Sequence, residues 1–285
     1  MAQTGSADPA ASAAWHWCTI GASVLAAWAW VLIVVYLAPD YIGDELTPAA
    51  YVAFTLVIYV PLLPIAVMAG LLTQTKVLRG GHSRLRWTVL GGALGAGGLC
   101  ATLAMNWLNG GLLAGSGVAG FSLLVLLGIT VTLVQSAMEE VLFRGWLQTA
   151  LSARLGQGGG VIGATVLFMG FHLLGGSRQF LSLVVIAMAG MLFGLLALRS
   201  GGLLAPVAAH AAWNASENSV FGLVPNPGNE VLGSILDFDL AGNPLWGGSD
   251  EGLNASLGAV LVLSALILPL LVGRTAKPAP AASPA

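Results

Sequence analysis

The sequence predicts an all-α, polytopic membrane bundle of about eight transmembrane helices with its chemistry inside the bundle. Composition is the first of three observations behind this. The 285 residues are 57% hydrophobic and 8% charged, with a mean hydropathy of +0.88, whereas ordinary soluble domains carry about 25% charged residues. Second, apolar stretches of about 20 residues, long enough to cross a bilayer, recur along the chain. Third, the few charged and polar residues inside those stretches are grouped rather than scattered. A net charge of -2 leaves no basic surface for nucleic acid. Cys18 and Cys100 both lie in apolar stretches, which supports neither a disulfide framework nor a cysteine metal site.

Residues 1–14 form a polar N-terminal tail without Lys or Arg. It lacks the basic start of a secretory signal, so the first apolar stretch, 15–38, is expected to stay as a transmembrane helix. The second span covers 49–74, with Pro61 and Pro64 bending it. The third, 87–108, contains Leu90-Gly-Gly-Ala-Leu-Gly-Ala-Gly-Gly98, whose small residues four apart suit close packing against another helix rather than a dimer interface. The fourth begins near Phe121. The remaining spans are 161–176, 181–198, 203–221 and 255–273. A loop at 222–254, rich in Gly, Asn, Asp and Pro, is a candidate cap without recognisable chemistry. The Pro/Ala-rich residues 275–285 read as a disordered tail. The membrane domain is therefore 15–274, with the motif-bearing core at about 119–222.

Loop charge predicts the orientation. With a cytoplasmic N-terminus, Lys76, Arg79, Arg84, Arg86, Arg144, Arg154, Arg199, Arg274 and Lys277 fall on the cytoplasmic side, and only Arg178 falls opposite. Both termini are then cytoplasmic.

The chemistry concentrates in Gln135-Ser-Ala-Met-Glu-Glu-Val-Leu-Phe-Arg-Gly145. A charge in the bilayer centre costs about 2.5–3.5 kcal/mol on insertion scales and marks function. In a helix Glu140 and Arg144 are i,i+4 on one face, acid before base. Glu139 is turned about 100° away. Glu140 thus reads as the supporting acid and Glu139 as the reactive one. His172 lies in Phe168-Met-Gly-Phe-His172, and His210 shares a helix face with Asn214 in His210-Ala-Ala-Trp-Asn214. Glu139 precedes Gly156 by 17 residues and His172 follows it by 16. If the helix turns at 156–160, antiparallel packing puts the two at equal height, with the hairpin protruding on the cytoplasmic side. Singly, these residues also suit a structural ion network or helix-to-helix hydrogen bonds. Together they place two acids, two histidines and an amide on three helices of a chain with few polar groups. Glu217, at i+7 from His210, reads as a helix-end residue. His16 and His82 read as interfacial, and Phe168 as packing for His172.

These residues resemble the CPBP family of intramembrane proteases, the group of the type II CAAX-processing endopeptidase and of the bacteriocin-processing and self-immunity (Abi-like) proteins. Its Glu-Glu-x-x-x-Arg motif is matched by Glu139, Glu140 and Arg144, its Phe-x-x-x-His motif by Phe168 and His172, and its His-x-x-x-Asn motif by His210 and Asn214. The resemblance implies hydrolysis of a peptide bond within the membrane. Glu139 would activate water with help from His172, and His210 and Asn214 would form the oxyanion hole. The partner implied is a membrane-associated protein or peptide in the lipid bilayer.

Two mechanisms remain compatible with these residues. Glu139, His172 and His210 would make a site for a divalent metal such as zinc with an open position. No His-Glu-x-x-His helix is present, and a glutamate-only mechanism serves equally; the reading adopted has no tightly bound metal. Intramembrane acids and histidines also occur in ion-coupled transporters, but no repeated halves are visible here. A non-catalytic adaptor on the same fold is the third class. The Ala/Gly-rich composition points to a bacterial plasma membrane, where substrates would be bacteriocin-like or signalling peptides or C-terminal anchors, rather than the prenylated Cys-a-a-X proteins of the eukaryotic branch.

Overall fold

The computed structural model describes residues 9–42, 46–117, 119–225 and 230–272. Residues 1–8 of the N-terminal tail, the acids Asp44 and Glu45, and the C-terminal tail with Arg274 and Lys277 lie outside the described residues. The helices are α1 (Pro9–Ile42), α2 (Pro48–Tyr59), α3 (Leu62–Leu72), α4 (Arg84–Leu108), α5 (Leu123–Glu140), α6 (Gln148–Leu174), α7 (Phe180–Ser200), α8 (Leu204–Ala215) and α9 (Leu257–Val272).

Among the described residues, five helical stretches are long and apolar enough to cross a membrane: Ala13–Ala38, Pro48–Leu72, Arg84–Leu108, Leu123–Leu174 and Phe180–Ser200. The expected spans map onto these helices with two differences. α8 and α9 are shorter than a full span. The expected fourth and fifth spans form one 52-residue stretch. That stretch is not a straight rod. Gly156 leaves the helix at φ 73, ψ 170, a conformation essentially reserved for glycine, and the chain folds back. A Cβ on Gly160 would meet the Gln148 carbonyl at 2.7 Å. Glu139 and His172 would be about 50 Å apart on a straight helix at about 1.5 Å per residue. Their side chains are instead 3.8 Å apart.

The second span breaks where proline removes donors. Pro61 has no N–H for the Val57 carbonyl, so α2 ends at Tyr59 and α3 starts at Leu62. Trp30 of α1 fills the vacancy, its Nε1 donating to Val57 O at 3.0 Å. His16 is buried rather than interfacial, with its Nε2 3.1 Å from the Ala150 carbonyl, and so ties α1 to α6.

Two apolar cores result. One joins α1, α2, α3, α5 and α6 through residues such as Ile20, Leu62, Phe143, Trp146 and Phe168. The other joins α4, α7, α8 and α9 through Leu99, Leu196, Ala209 and Leu263. In the second, the glycine stripe of α4 lies against α8: a Cβ on Gly91 or Gly95 would run into the carbonyl oxygens of Ala205 or Ala209. Large apolar side chains such as Leu25, Met68, Val89 and Leu268 point outward, the belt that lipid covers.

The loops after α4 and α8 carry backbone structure that the all-α reading did not foresee. Strands β1 (Leu112–Ala114), β2 (Leu223–Val224) and β3 (Phe238–Leu240) form a small sheet in the order β1-β3-β2, with Leu112 opposite Leu240. Asn106 of α4 donates to the Trp246 carbonyl at 2.8 Å and fixes the loop after α8 to the bundle.

Candidate active site

Where the two cores meet, a cavity of about 690 Å³ opens between α5, α6, α7 and α8. Glu139, Phe168, His172, His210 and Asn214 line it. Glu140 and Arg144 stand behind its wall, both fully buried.

α5 delivers the two acids, and a π-helical turn, Val141–Leu147, follows at once. The Gln148 N–H reaches the Phe143 carbonyl, the long step of a π turn. Such turns cluster at functional sites. Arg79, in the loop between α3 and α4, supports this turn from outside. Its Nη2 donates to the Arg144 carbonyl at 3.3 Å and to the Thr149 hydroxyl at 2.8 Å, and burial lowers the pKa of its guanidinium.

Glu140 is saturated on one oxygen. Its Oε1 accepts from Arg144 Nη1 at 3.0 Å and from His210 Nδ1 at 2.9 Å. Arg144 spends its other terminal nitrogen on the Gly190 carbonyl of α7, also at 3.0 Å. Arg144 is therefore not a loop cation at the membrane surface, as the orientation count had it, but the buried partner of Glu140. Its guanidinium also lies 4.4 Å from the Phe168 ring centroid and 5.4 Å from that of Phe193. Phe193 stacks on His210, with centroids 4.7 Å apart and planes 17° apart, so ring and acid together fix the imidazole.

Glu139 is held differently. Its Oε1 has Gln135 Nε2 at 3.4 Å, and the same nitrogen is 3.2 Å from the Tyr59 hydroxyl of α2. Its Oε2 is buried without a hydrogen-bond partner and faces His172 Nε2 at 3.8 Å. The Phe168 carbonyl, 3.0 Å from His172 Nδ1, can only accept. Nδ1 therefore carries a hydrogen, and in the neutral ring Nε2 presents a lone pair. The gap between Nε2 and Oε2 exceeds a hydrogen bond and suits one bridging water.

Asn214 stands on the His210 face of α8, half-buried, one turn along. Phe168 serves more than the expected packing: its ring centroid is 4.4 Å from that of His172 and 6.1 Å from that of His210. Sequence reasoning gave no role to Gln135, Tyr59, Phe193 or Gly190. The first was legible, being i−4 from Glu139; the others come from α2 and α7 and carry no motif. Glu217 is not a plain helix end. It is buried, lines the cavity and sits in a second π turn, Ser216–Val220.

Among the described residues no three His, Cys, Asp or Glu side chains are grouped as ligands for a metal. Of the three candidate ligands Glu139, His172 and His210, the last has its Nδ1 committed to Glu140, which leaves only Nε2 to meet a ligand. Nothing among the described residues lends support to the metalloprotease alternative.

Residues 121–216 match the family model described as type II CAAX prenyl endopeptidase Rce1-like. Neither the curated proteins nor the solved structures give a match to the chain. The matched segment holds all three motifs and every residue of the Glu139–His172 and Glu140–His210 pairs. Through it, this membrane helix bundle is similar over that segment to the Rce1-like type II CAAX prenyl endopeptidases, a protease family.

Proposed function

We propose that the protein is an intramembrane endopeptidase that hydrolyses a peptide bond of a membrane-associated protein or peptide with a water activated by Glu139. The observation that carries this is the buried, unpartnered Oε2 of Glu139 facing the His172 Nε2 lone pair at 3.8 Å on the cavity wall.

A water seated there donates one hydrogen to Oε2 and the other to Nε2, leaving an oxygen lone pair for the scissile carbonyl. Glu139 takes the proton as the C–O bond forms. The oxyanion of the tetrahedral intermediate accepts from the Asn214 amide. It also accepts from His210 Nε2 in the protonated ring, for which Glu140 is the counter-charge at Nδ1. Collapse breaks the C–N bond, and Glu139 passes its proton to the leaving nitrogen. Gln135, hydrogen-bonded near Tyr59, aims the carboxylate.

The test is cleavage of membrane-anchored peptides by the purified protein. Glu139→Gln keeps shape and removes the base, and is expected to lower kcat by about 10²–10⁴-fold while the melting temperature holds. A Glu139→Gln protein as active as the parent sinks the proposal. In our reading both termini face the cytoplasm of a bacterial cell, because Lys76, Arg79, Arg84, Arg86, Arg154 and Arg199 all fall on one side.

A further inference from the structure

The cavity does not end at Asn214. It continues along α8 into the π turn Ser216–Val220 and is lined there by Pro225, Asp250 and Asn254 of the following loop. Glu217 lines this arm and is 3% exposed. Asn254 Nδ2 lies 2.9 Å from both of its oxygens, and Trp213 Nε1 holds the Asn254 carbonyl at 3.3 Å. The carboxylate is thus aimed by a neutral amide. Among the described residues no Lys, Arg or His forms an ion pair with it, and no Lys or Arg lines the cavity. The neighbouring Glu251 also lines the cavity, but its Oε1 is tied to the start of α7, accepting from the backbone N–H groups of Arg178 and Gln179 at 3.0 Å. A carboxylate taken from water needs a counter-charge or a full set of donors, and a carboxylate offers about four acceptor positions.

Glu217 lies three residues beyond Asn214 and seven beyond His210. That is roughly 4.5 and 10 Å along a helix at about 1.5 Å per residue. An extended peptide advances about 3.3 Å per residue. A substrate whose scissile carbonyl sits between His210 and Asn214 therefore brings a side chain about one to three residues away to Glu217.

We propose that Glu217 determines specificity: it receives the ammonium or guanidinium group of a substrate Lys or Arg placed about one to three residues from the scissile bond. This rests on the protease reading above. The arriving cation supplies the missing counter-charge, so apolar membrane peptides lacking it are disfavoured.

The test uses the full chain in lipid nanodiscs and a library of membrane-spanning Leu/Ala peptides. Each peptide carries a single Lys, norleucine or Glu at successive positions, and products are read by mass spectrometry. The parent protein is expected to favour Lys over norleucine in kcat/KM by at least about tenfold at one position, with Glu poorest. Glu217→Gln, which keeps the size and an amide contact with Asn254, is expected to erase that ratio. Asn254→Ala, which removes the aiming amide and its bond to Trp213 but leaves the Glu217 carboxylate, is expected to keep a Lys preference. Equal rates for Lys and norleucine peptides overturn the assignment. So does a Glu217→Gln protein that lowers both by one factor, which would make Glu217 a latch for the loop. Binding of the same peptides to the Glu139→Gln protein, followed by fluorescence anisotropy, separates the two readings. A Lys preference in binding that disappears in the Glu139→Gln/Glu217→Gln protein, with no cleavage by the parent, removes the protease reading and leaves Glu217 as the cation site. Cleavage without that preference does the reverse.

Discussion

Glu139 and Glu140 are neighbours with identical side chains, and the helix turns them about 100° apart into different surroundings. Glu140 points to Arg144 and His210 and accepts from both through Oε1. Glu139 points to the cavity with one oxygen unpartnered. The first is structural charge pairing deep in the protein, where removing one partner costs far more than the pair contributes. Arg144→Ala is therefore expected to destabilise the protein by about 3–5 kcal/mol, read as a large drop in melting temperature in detergent. Stability within about 1 kcal/mol of the parent would show that Glu140 finds another donor. The pairing of Glu140 with Arg144, and of His210 with Asn214, could be read from the chain because helical spacing is a local property. Gly190, Phe193 and Tyr59 could not. They reach the site from α7 and α2, and lateral placement of helices leaves no local periodicity to read.

At the scale of elements, three backbone irregularities hold the site. The π turns Val141–Leu147 and Ser216–Val220 follow the Glu139–Glu140 pair and Asn214 respectively, and Gly156 reverses the chain between Glu139 and His172. The reversal was legible because the two functional residues are nearly equidistant from that glycine. The π turns were not, since one wider turn changes neither composition nor apolar pattern. The strands of the loop were missed for a similar reason: two or three residues are too few to show alternation. Gly156→Ala places a Cβ where φ is 73, and is expected to cost about 1–3 kcal/mol and to lower activity by pulling His172 from Glu139. Thermal unfolding and peptide cleavage on the same sample check this. An unchanged melting temperature would mean that the turn relaxes into another conformation. The glycine stripe of α4 acts as expected from its spacing: it lets α8, the bearer of His210 and Asn214, approach with backbone in contact.

Across the whole molecule, the apolar belt and the loops face different solvents, and the loops carry the pH dependence. Burial by itself would push Glu251 up. Hydrogen bonds from the Ser182 hydroxyl and the backbone N–H groups of Arg178 and Gln179 outweigh it and leave its pKa below the ordinary glutamate value of 4.5. A carboxylate lowered by folding stabilises above its unfolded pKa and stops doing so as pH falls through the lowered value. Docking of the 230–256 loop on the start of α7 is therefore expected to hold at neutral pH and weaken below about 4.5. Protease nicking of the loop as a function of pH reads this directly. Glu251→Gln should remove the acid-dependent step, and a step that persists in that variant assigns it elsewhere. The orientation is tested at the same scale. After replacement of Cys18 and Cys100, which are free and exposed, a cysteine at Lys76 should resist an impermeant maleimide in intact cells while one at Leu245 reacts. The opposite pattern inverts the topology.

What the amino-acid order determined alone is the class of molecule, the helices, and which side chains share a helical face, because hydropathy and the helical repeat act over a few residues. It also sufficed for the reversal at Gly156, where one residue type tolerates the backbone. The meeting of Glu139 with His172, the burial of Arg144 against the Phe168 and Phe193 rings and the exposure of Glu217 to the cavity were decided only by tertiary structure. Each depends on how helices distant in sequence rotate and approach, which is set by packing across both cores at once.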